Sequence, residues 1–200
     1  MADRSKGNAN GSSGSGATRA PERVETERLI LRRPRGEDAR AIFERYAADP
    51  EVTRWMSFVR HQTEDDTRAF LAASDAQWER WPGGPYLICE RSGGRLLGGT
   101  GLDFETPWRA ETGYILARDA WGRGYATEAL RAVVDVASRV GVRRLQAHCH
   151  AGHARSWRVL EKCGFEREGL LRRHSLYPNF DATEPQDSYF YARILEPELG

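Results

Sequence analysis

The sequence contains very little lysine, and its net charge is close to zero. All but two of its 30 basic residues are arginine, the lysines being Lys6 and Lys162, and 29 acidic residues leave a formal net charge of +1. A chain so balanced has no overall field for a long polyanion, so we predict that nucleic acid is not a partner. Arginine can still bind a phosphate through its planar fork, which leaves room for a small local anion site.

Cysteines and long hydrophobic runs are also scarce. The three cysteines, Cys89, Cys149 and Cys163, are too few and too irregularly spaced for a disulfide framework. Free thiols are typical of a reducing compartment. No apolar stretch could cross a bilayer, and the N-terminus lacks the apolar core of a secretion signal. We therefore predict a cytoplasmic protein with no membrane partner.

The chain length of 200 residues suits a single domain. Residues 1–20 are rich in Gly, Ser and Asn and are predicted to be a disordered linker or an added tail. Residues 21–198 are predicted to form the one folded domain.

Hydrophobic periodicity predicts an α+β fold with a mixed sheet. Strands are predicted at 29–32, 86–89, 95–100, 110–117, 144–149, 165–175 and 188–195. Helices are predicted at 38–48, 64–80, 126–140 and 154–162. The strands from 86 to 117 would form an antiparallel meander, and the helix at 126–140 would connect two further strands as a crossover.

A glycine-rich segment, Trp121–Glu128, follows a predicted strand and opens the most regular amphipathic helix. Gly122 and Gly124 leave the backbone open, so that several N–H groups can converge on one ligand. The first helical turn adds unpaired donors and the positive end of the helix dipole. This combination suits a phosphate or pyrophosphate, although simple loop closure is the alternative. The spacing fits neither the dinucleotide fingerprint nor the P-loop.

The same segment resembles the acetyl-CoA pyrophosphate loop, Q/R-x-x-G-x-G/A, of the Gcn5-related N-acetyltransferase (GNAT) superfamily. Trp121 takes the Q/R place, Gly124 the glycine and Ala126 the final small residue. The stretches 153–156 and 159–165 resemble the N-x-x-S and L-E-K-x-G-F segments of that superfamily.

Two further stretches, 25–32 and 111–114, resemble the RimJ/RimL-type branch, which acetylates the N-termini of ribosomal proteins. The resemblance runs from about Val24 to Leu195. It implies a single-domain GNAT fold and transfer of acetyl from acetyl-CoA to an amine by direct attack on the thioester. The acceptor would be a protein N-terminal α-amine or a small-molecule amine. The cofactor-binding residues that it implies are Ile115, Leu116, Ala117, Trp121, Gly122, Arg123, Gly124, Tyr125, Ala126, Thr127, His153 and Ser156.

Two residues are candidates for catalysis. Glu111 lies on the strand before the loop and could carry the amine proton away, through water, since a carboxylate is a weak base. Its alternative role is a solvated side chain or an ion-pair partner for an arginine. The tyrosine that many GNAT members place on the helix after the crossover is Leu160 here. Ser156 is therefore the candidate for hydrogen bonding to the leaving sulfur, unless its hydroxyl bonds its own helix.

His153 stands where the superfamily usually has asparagine, and its titration near pH 6.5 could make cofactor affinity depend on pH. His148, Cys149 and His150 precede it closely, but strand alternation puts Cys149 on the face opposite the two histidines. We therefore predict no metal site.

Three points stay open at this stage. Trp55, Phe58 and Tyr177 could line an acceptor groove or simply pack in the core. A non-catalytic acyl-CoA-binding sensor is the alternative function. The sequence specifies neither the acceptor nor the oligomeric state, a homodimer being one option.

Overall fold

A mixed eight-stranded sheet forms the centre of the computed structural model, which describes residues 18–196. The strands are β1 (Arg23–Glu25), β2 (Leu29–Arg32), β3 (Pro85–Glu90), β4 (Leu96–Thr106), β5 (Arg109–Leu116), β6 (Arg144–His150), β7 (Glu166–Tyr177) and β8 (Asp181–Ile194). Their order across the sheet is β1-β2-β3-β4-β5-β6-β8-β7. Neighbours are antiparallel except β5 and β6, which are parallel. The predicted α+β fold with a mixed sheet is confirmed.

Helices cover both faces of this sheet. They are α1 (Ala39–Ile42), α2 (Pro50–Thr53), α3 (Glu64–Arg80), α4 (Tyr125–Arg139) and α5 (Ala154–Lys162). Alternate residues of β3 point to two different cores: Ile88 packs in the core that contains α4, whereas Leu87 packs with Ile42 of α1. The sheet therefore separates an α1 layer from an α4 layer.

The crossover from β5 through α4 to β6 matches the prediction. Leu130, Val133 and Ala137 lie on the predicted apolar face of α4 and are fully buried. Gly141 follows the helix with a φ of 86°, a left-handed conformation that ends helices readily. None of the helices within residues 18–196 is long and apolar enough to span a bilayer.

The helix predicted at 38–48 is instead three consecutive turns of different pitch. A 3₁₀ turn at Gly36–Asp38 leads into α1, and a π turn follows at Phe43–Ala47. The Asp38 carboxylate accepts hydrogen bonds from Arg32 at 2.6 and 2.8 Å, which holds the first turn against β2. Tyr46 and Ala47, both in the π turn, are buried in the core.

The last two strands are longer than predicted. β7 runs to Tyr177 and β8 begins at Asp181, so residues that lack an apolar pattern form the tip of a hairpin. Asp181 stabilises the tip by accepting hydrogen bonds from the backbone N–H groups of Thr183 and Glu184. Backbone pairing between β7 and β8 stabilises this part of the sheet. Because hydrophobic periodicity does not indicate backbone pairing, the sequence pattern did not predict the extension.

The packed part of the chain begins slightly before the predicted domain boundary. Ala20, which the prediction placed in the linker, is buried, and its backbone N–H donates to the Pro82 carbonyl at 2.6 Å. Residues 1–17 of the predicted linker lie outside the described residues, as do positions 197 and 198 of the predicted domain.

Candidate active site

The parallel strands β5 and β6 separate in the middle of the sheet. They pair only from Arg109–Arg144 to Glu111–Gln146. Beyond that point lies a cavity of about 350 Å³. Both strands contribute to its walls, together with Trp55, Tyr177 and the first turn of α5. The gap therefore exposes the side chains and backbone of two central strands in the interior of the fold.

The predicted phosphate loop leads from the end of β5 into α4. Gly122 and Gly124 have φ angles of 73° and 80°, which glycine adopts without the penalty that a side chain would bring. Within residues 18–196, the backbone N–H groups from Gly122 to Thr127 find no hydrogen-bond acceptor. These free donors at a helix N-terminus form an arrangement suited to a phosphate.

Two contacts hold this loop in place. The Trp121 indole N–H donates to the Leu116 carbonyl at 2.8 Å, which ties the start of the loop to the end of β5. Arg28 donates to the Arg123 carbonyl at 3.0 Å. The Arg155 guanidinium of α5 lies 5.6 Å from the Trp121 ring, so a second cation stands beside the loop. Sequence analysis missed Arg28 and Arg155 because nothing local relates them to the loop.

Some backbone groups of the predicted cofactor-binding residues at the end of β5 already form hydrogen bonds within the protein. The N–H of Ala117 donates to the Leu97 carbonyl at 2.8 Å, and the Leu116 carbonyl accepts from Trp121. Ala117 is buried and Ile115 is half-buried. Binding through these residues would therefore have to use their remaining backbone groups.

Glu111 lies at the base of the gap and contacts a histidine. Its Oε1 is 2.8 Å from Nδ1 of His148, and the two side chains are 33% and 23% exposed. Glu111 accepts the hydrogen bond, and this contact raises the pKa of His148 above its ordinary value of 6.5. Within residues 18–196, the ion-pair partner of Glu111 is thus an imidazole and not an arginine.

A pair of hydroxyl groups lies on the other side of the gap. The Tyr114 hydroxyl donates to the Ser156 carbonyl at 2.7 Å and lies 3.1 Å from the Ser156 Oγ. Burial raises the pKa of Tyr114, so this hydroxyl keeps its proton. Leu160, in the usual tyrosine place, is a buried core residue. The fold therefore supplies a tyrosine hydroxyl from β5, which sequence analysis missed.

His153 lies in the cavity wall, as does Ser156, but its predicted titration near pH 6.5 is wrong. Burial, with the nearby His150 and Arg155, lowers the pKa of His153 to about 4. Its ring stacks on Trp55 with centroids 5.6 Å apart, which shields one face of the imidazole from water. His153 is therefore neutral at physiological pH.

We expect the affinity for acetyl-CoA to be the same at pH 5.5 and pH 8. A pKa of about 4 leaves His153 uncharged over that whole interval, and a positive charge appears only at lower pH. Isothermal titration with coenzyme A at several pH values measures this. A change in affinity centred near pH 6.5 that disappears in His153→Asn would contradict the neutral imidazole.

The histidines near the end of β6 separate into two groups. His148 lies against Glu111, whereas His150 packs against Trp55 at 4.4 Å and Tyr177 at 5.0 Å between ring centroids. Among residues 18–196, no three His, Cys, Asp or Glu side chains come together as a metal site would need.

Of the three aromatic residues considered for an acceptor groove, two line the cavity. Trp55 and Tyr177 are in its wall. Phe58 is not, because its ring packs against His61 at 5.7 Å. Asn179 donates to the Phe58 carbonyl at 2.8 Å and so ties this loop to the tip of the β7–β8 hairpin.

The central sheet is divided between β5 and β6, and a glycine loop with free N–H groups leads into the crossover helix α4. Residues 28–166 match the family described as the Acetyltransferase (GNAT) domain. The chain therefore belongs to the GNAT family of acetyltransferases, and the predicted superfamily is confirmed.

Relatives and solved structures agree with this assignment. The chain is 32% identical over 177 residues to YoaA of Bacillus subtilis (strain 168), an uncharacterized N-acetyltransferase, covering 87% of this chain and 97% of the relative. A GNAT-family acetyltransferase from Bacillus anthracis superimposes with a TM-score of 0.74 at 25% identity, covering 86% and 98% of the two chains.

The fold also matches RimL, the ribosomal L7/L12 alpha-N-protein acetyltransferase, in a complex with coenzyme A. The TM-score is 0.78 at 20% identity, and the match covers 87% of this chain and 98% of that one. The predicted likeness to the RimJ/RimL branch is thus confirmed at the level of the fold. The presence of coenzyme A in that structure agrees with the predicted cosubstrate, acetyl-CoA.

Proposed function

We propose that this GNAT acetyltransferase transfers acetyl from acetyl-CoA to an amine, either a protein N-terminal α-amine or a small-molecule amine. The observation that carries the proposal is the gap between β5 and β6. It opens directly after Glu111, with the Glu111–His148 pair on one side and the Tyr114–Ser156 hydroxyls on the other. A group that accepts a proton and groups that donate one thus line the same cavity.

The free N–H groups from Gly122 to Thr127 support binding of the cosubstrate diphosphate. Because a Cβ at Gly122 would meet no atom within 4 Å, the space beside the loop is open to a ligand. Arg155, close to the loop, adds positive charge, whereas the charge of Arg28 is paired with Glu128 at 2.7 Å. Bound here, acetyl-CoA would supply the thioester that the amine attacks.

The free energy needed to deprotonate the acceptor favours an α-amine over a lysine side chain. At pH 7, neutralising a lysine side chain costs about 4.6 kcal/mol, whereas an α-amine needs only about 1–1.4 kcal/mol. The proposed proton path begins on the Glu111 side of the gap. Deprotonating a protein N-terminus therefore costs less free energy than deprotonating a lysine side chain. The likeness to RimL also favours an N-terminal acceptor.

A thiol-release assay tests the proposal. The acceptors are peptides with free N-termini, the same peptides with blocked N-termini and one lysine, polyamines and aminoglycosides. We expect turnover with at least one free amine and none with the blocked controls. Saturable binding of coenzyme A with no transfer to any amine would favour a sensor instead.

We expect Ser156→Ala to lower kcat about tenfold, because the Ser156 hydroxyl would hydrogen-bond the leaving thiolate, an effect worth about 1–1.5 kcal/mol. Tyr114→Phe should have a smaller effect, since the Tyr114 hydroxyl donates its one hydrogen to the Ser156 carbonyl and holds Ser156 in place. Steady-state kinetics with saturating acetyl-CoA measure both. If each variant keeps its full kcat, the hydroxyl pair has no part in thiolate departure.

A further inference from the structure

We infer that Nε2 of His148 takes the proton from the acceptor amine and that Glu111 is a positioning residue acting through His148. This inference rests on the proposed function and names the atom that performs its proton transfer.

The hydrogen bond between the two residues determines which imidazole nitrogen is free. An ionised carboxylate can only accept, so Nδ1 of His148, 2.8 Å from Glu111 Oε1, must carry the hydrogen. In neutral His148 the lone pair is then on Nε2. No other side chain or backbone group in residues 18–196 hydrogen-bonds this imidazole, and Nε2 is not a buried atom. The second nitrogen therefore remains available to a substrate.

The divergence of the strands places this nitrogen at the cavity. Gln146 pairs with Glu111, and His148 is two residues further along β6, so the side chains of Glu111, Gln146 and His148 share one face of the sheet. The gap between β5 and β6 begins beyond the Glu111–Gln146 pair, and both Glu111 and His148 line the cavity. Tyr114 and Ser156 line it as well, so donor and acceptor groups face one space.

His150, the next histidine on the same face, is unsuited to this task. Its Nδ1 accepts a hydrogen bond from the Gly152 N–H at 3.0 Å, so its hydrogen must be on Nε2. That Nε2 is buried and has no partner within the described part of the chain. Burial also lowers the pKa of His150. Among the histidines of residues 18–196, only His148 combines a carboxylate on one nitrogen with an accessible lone pair on the other.

The carboxylate beside His148 favours the role of this imidazole as a base. Glu111 of β5 faces Nδ1 and raises the pKa of the imidazole. Asp103, the register partner of Glu111 on β4, lines the same cavity, and His174 of β7 lies 6.0 Å from His148 between ring centroids. A base that gains its proton at a higher pH is a stronger acceptor for the ammonium proton.

The acceptor ammonium gives one proton to Nε2 of His148, and the freed nitrogen lone pair forms the bond to the acetyl carbon. The carbon–sulfur bond breaks, and the thiolate leaves with a proton from the Tyr114–Ser156 side or from water. The amide product loses its second proton to solvent, and His148 releases its own when the product has left.

The test is the pH profile of kcat for the wild type, His148→Gln and Glu111→Gln, with two acceptors of different amine pKa. For the wild type we expect a decline toward acid pH at a position that does not follow the acceptor. His148→Gln, which keeps a donor toward Glu111, should lower kcat about 100-fold and remove that decline. In Glu111→Gln the decline should move to lower pH, because the charge that raises the His148 pKa is gone.

Controls separate chemistry from structure. His174→Gln changes the neighbouring exposed histidine and should leave the profile unchanged, and the affinity for coenzyme A should be the same in all variants. His148→Ala should recover activity when imidazole is added. A His148→Gln enzyme with wild-type kcat and an unchanged profile would overturn this inference while leaving the proposed function intact. A wild type that acetylates no amine would instead overturn the proposed function.

Discussion

Gly124→Ala is expected to weaken acetyl-CoA binding about 10–100-fold. Gly124 has a φ of 80°, and an L-residue in this left-handed conformation loses roughly 1–2 kcal/mol. The nearest atom to an added Cβ is a side-chain nitrogen of Arg28 at 3.5 Å, so the penalty is conformational and not a clash. A loop that relaxes this strain would turn its N–H groups away from the diphosphate. Each lost hydrogen bond to a charged group costs about 1.5–3 kcal/mol, which is a factor of about 10–100 in affinity.

Gly141→Ala is the matched control for this experiment. Gly141 has a φ of 86° and open space around it, but it lies at the opposite end of α4. Both variants should lose similar stability in thermal unfolding, and only Gly124→Ala should lose affinity for coenzyme A in calorimetric titration. Equal affinity in the two variants would show that the loop does not hold the cosubstrate.

Glu128→Gln is expected to lower the free energy of unfolding at pH 7 by about 1.5–3 kcal/mol. The Glu128 carboxylate accepts hydrogen bonds from the Thr26 hydroxyl at 2.6 Å, the Arg28 backbone N–H at 2.8 Å and the Arg28 Nε at 2.7 Å. A neutral amide offers only one oxygen and no charge to these donors. Because Arg28 also bonds the Arg123 carbonyl, the variant should weaken acetyl-CoA binding as well.

The effect of Glu128 should depend on pH in a defined direction. Although burial alone would raise it, the hydrogen bonds from Thr26 and Arg28 hold the pKa of Glu128 below its ordinary value of 4.5. The stabilising contribution is therefore complete above the unfolded-state pKa and is lost as the pH falls through the folded-state pKa.

Urea unfolding of the wild type and Glu128→Gln at pH 7 and at successively lower pH measures this dependence. The difference between the two proteins should shrink below about pH 4.5. Glu27→Gln, at an exposed neighbouring carboxylate with no hydrogen bond or ion pair in the described residues, removes the same charge and should cost little. An equal loss in both variants would assign the effect to net charge alone.

Much of the candidate site could be predicted from short stretches of the sequence. The amphipathic spacing of Leu130, Val133 and Ala137 predicted α4, and the glycines before it predicted an open loop whose N–H groups can converge on one ligand. These features involve residues within a few positions of one another, so composition and periodicity report them directly. The same local signals carried the resemblance to the GNAT family and, with it, acetyl-CoA.

Other features depended on contacts between distant parts of the chain. Glu111 was selected from the sequence, but its partner His148 comes from another strand. Ser156 was selected as well, but the Tyr114 hydroxyl beside it lies 42 positions earlier. The burial that lowers the pKa of His153 depends on Trp55, from a different part of the chain.

By itself, then, the sequence determined most of the elements, the loop and the family, because backbone propensity and hydrophobic spacing are local properties. The tertiary structure decided which nitrogen, hydroxyl or carboxylate faces the gap. Those pairings depend on where β5 and β6 stop pairing, and the register of strands brought together from distant parts of the chain sets that point.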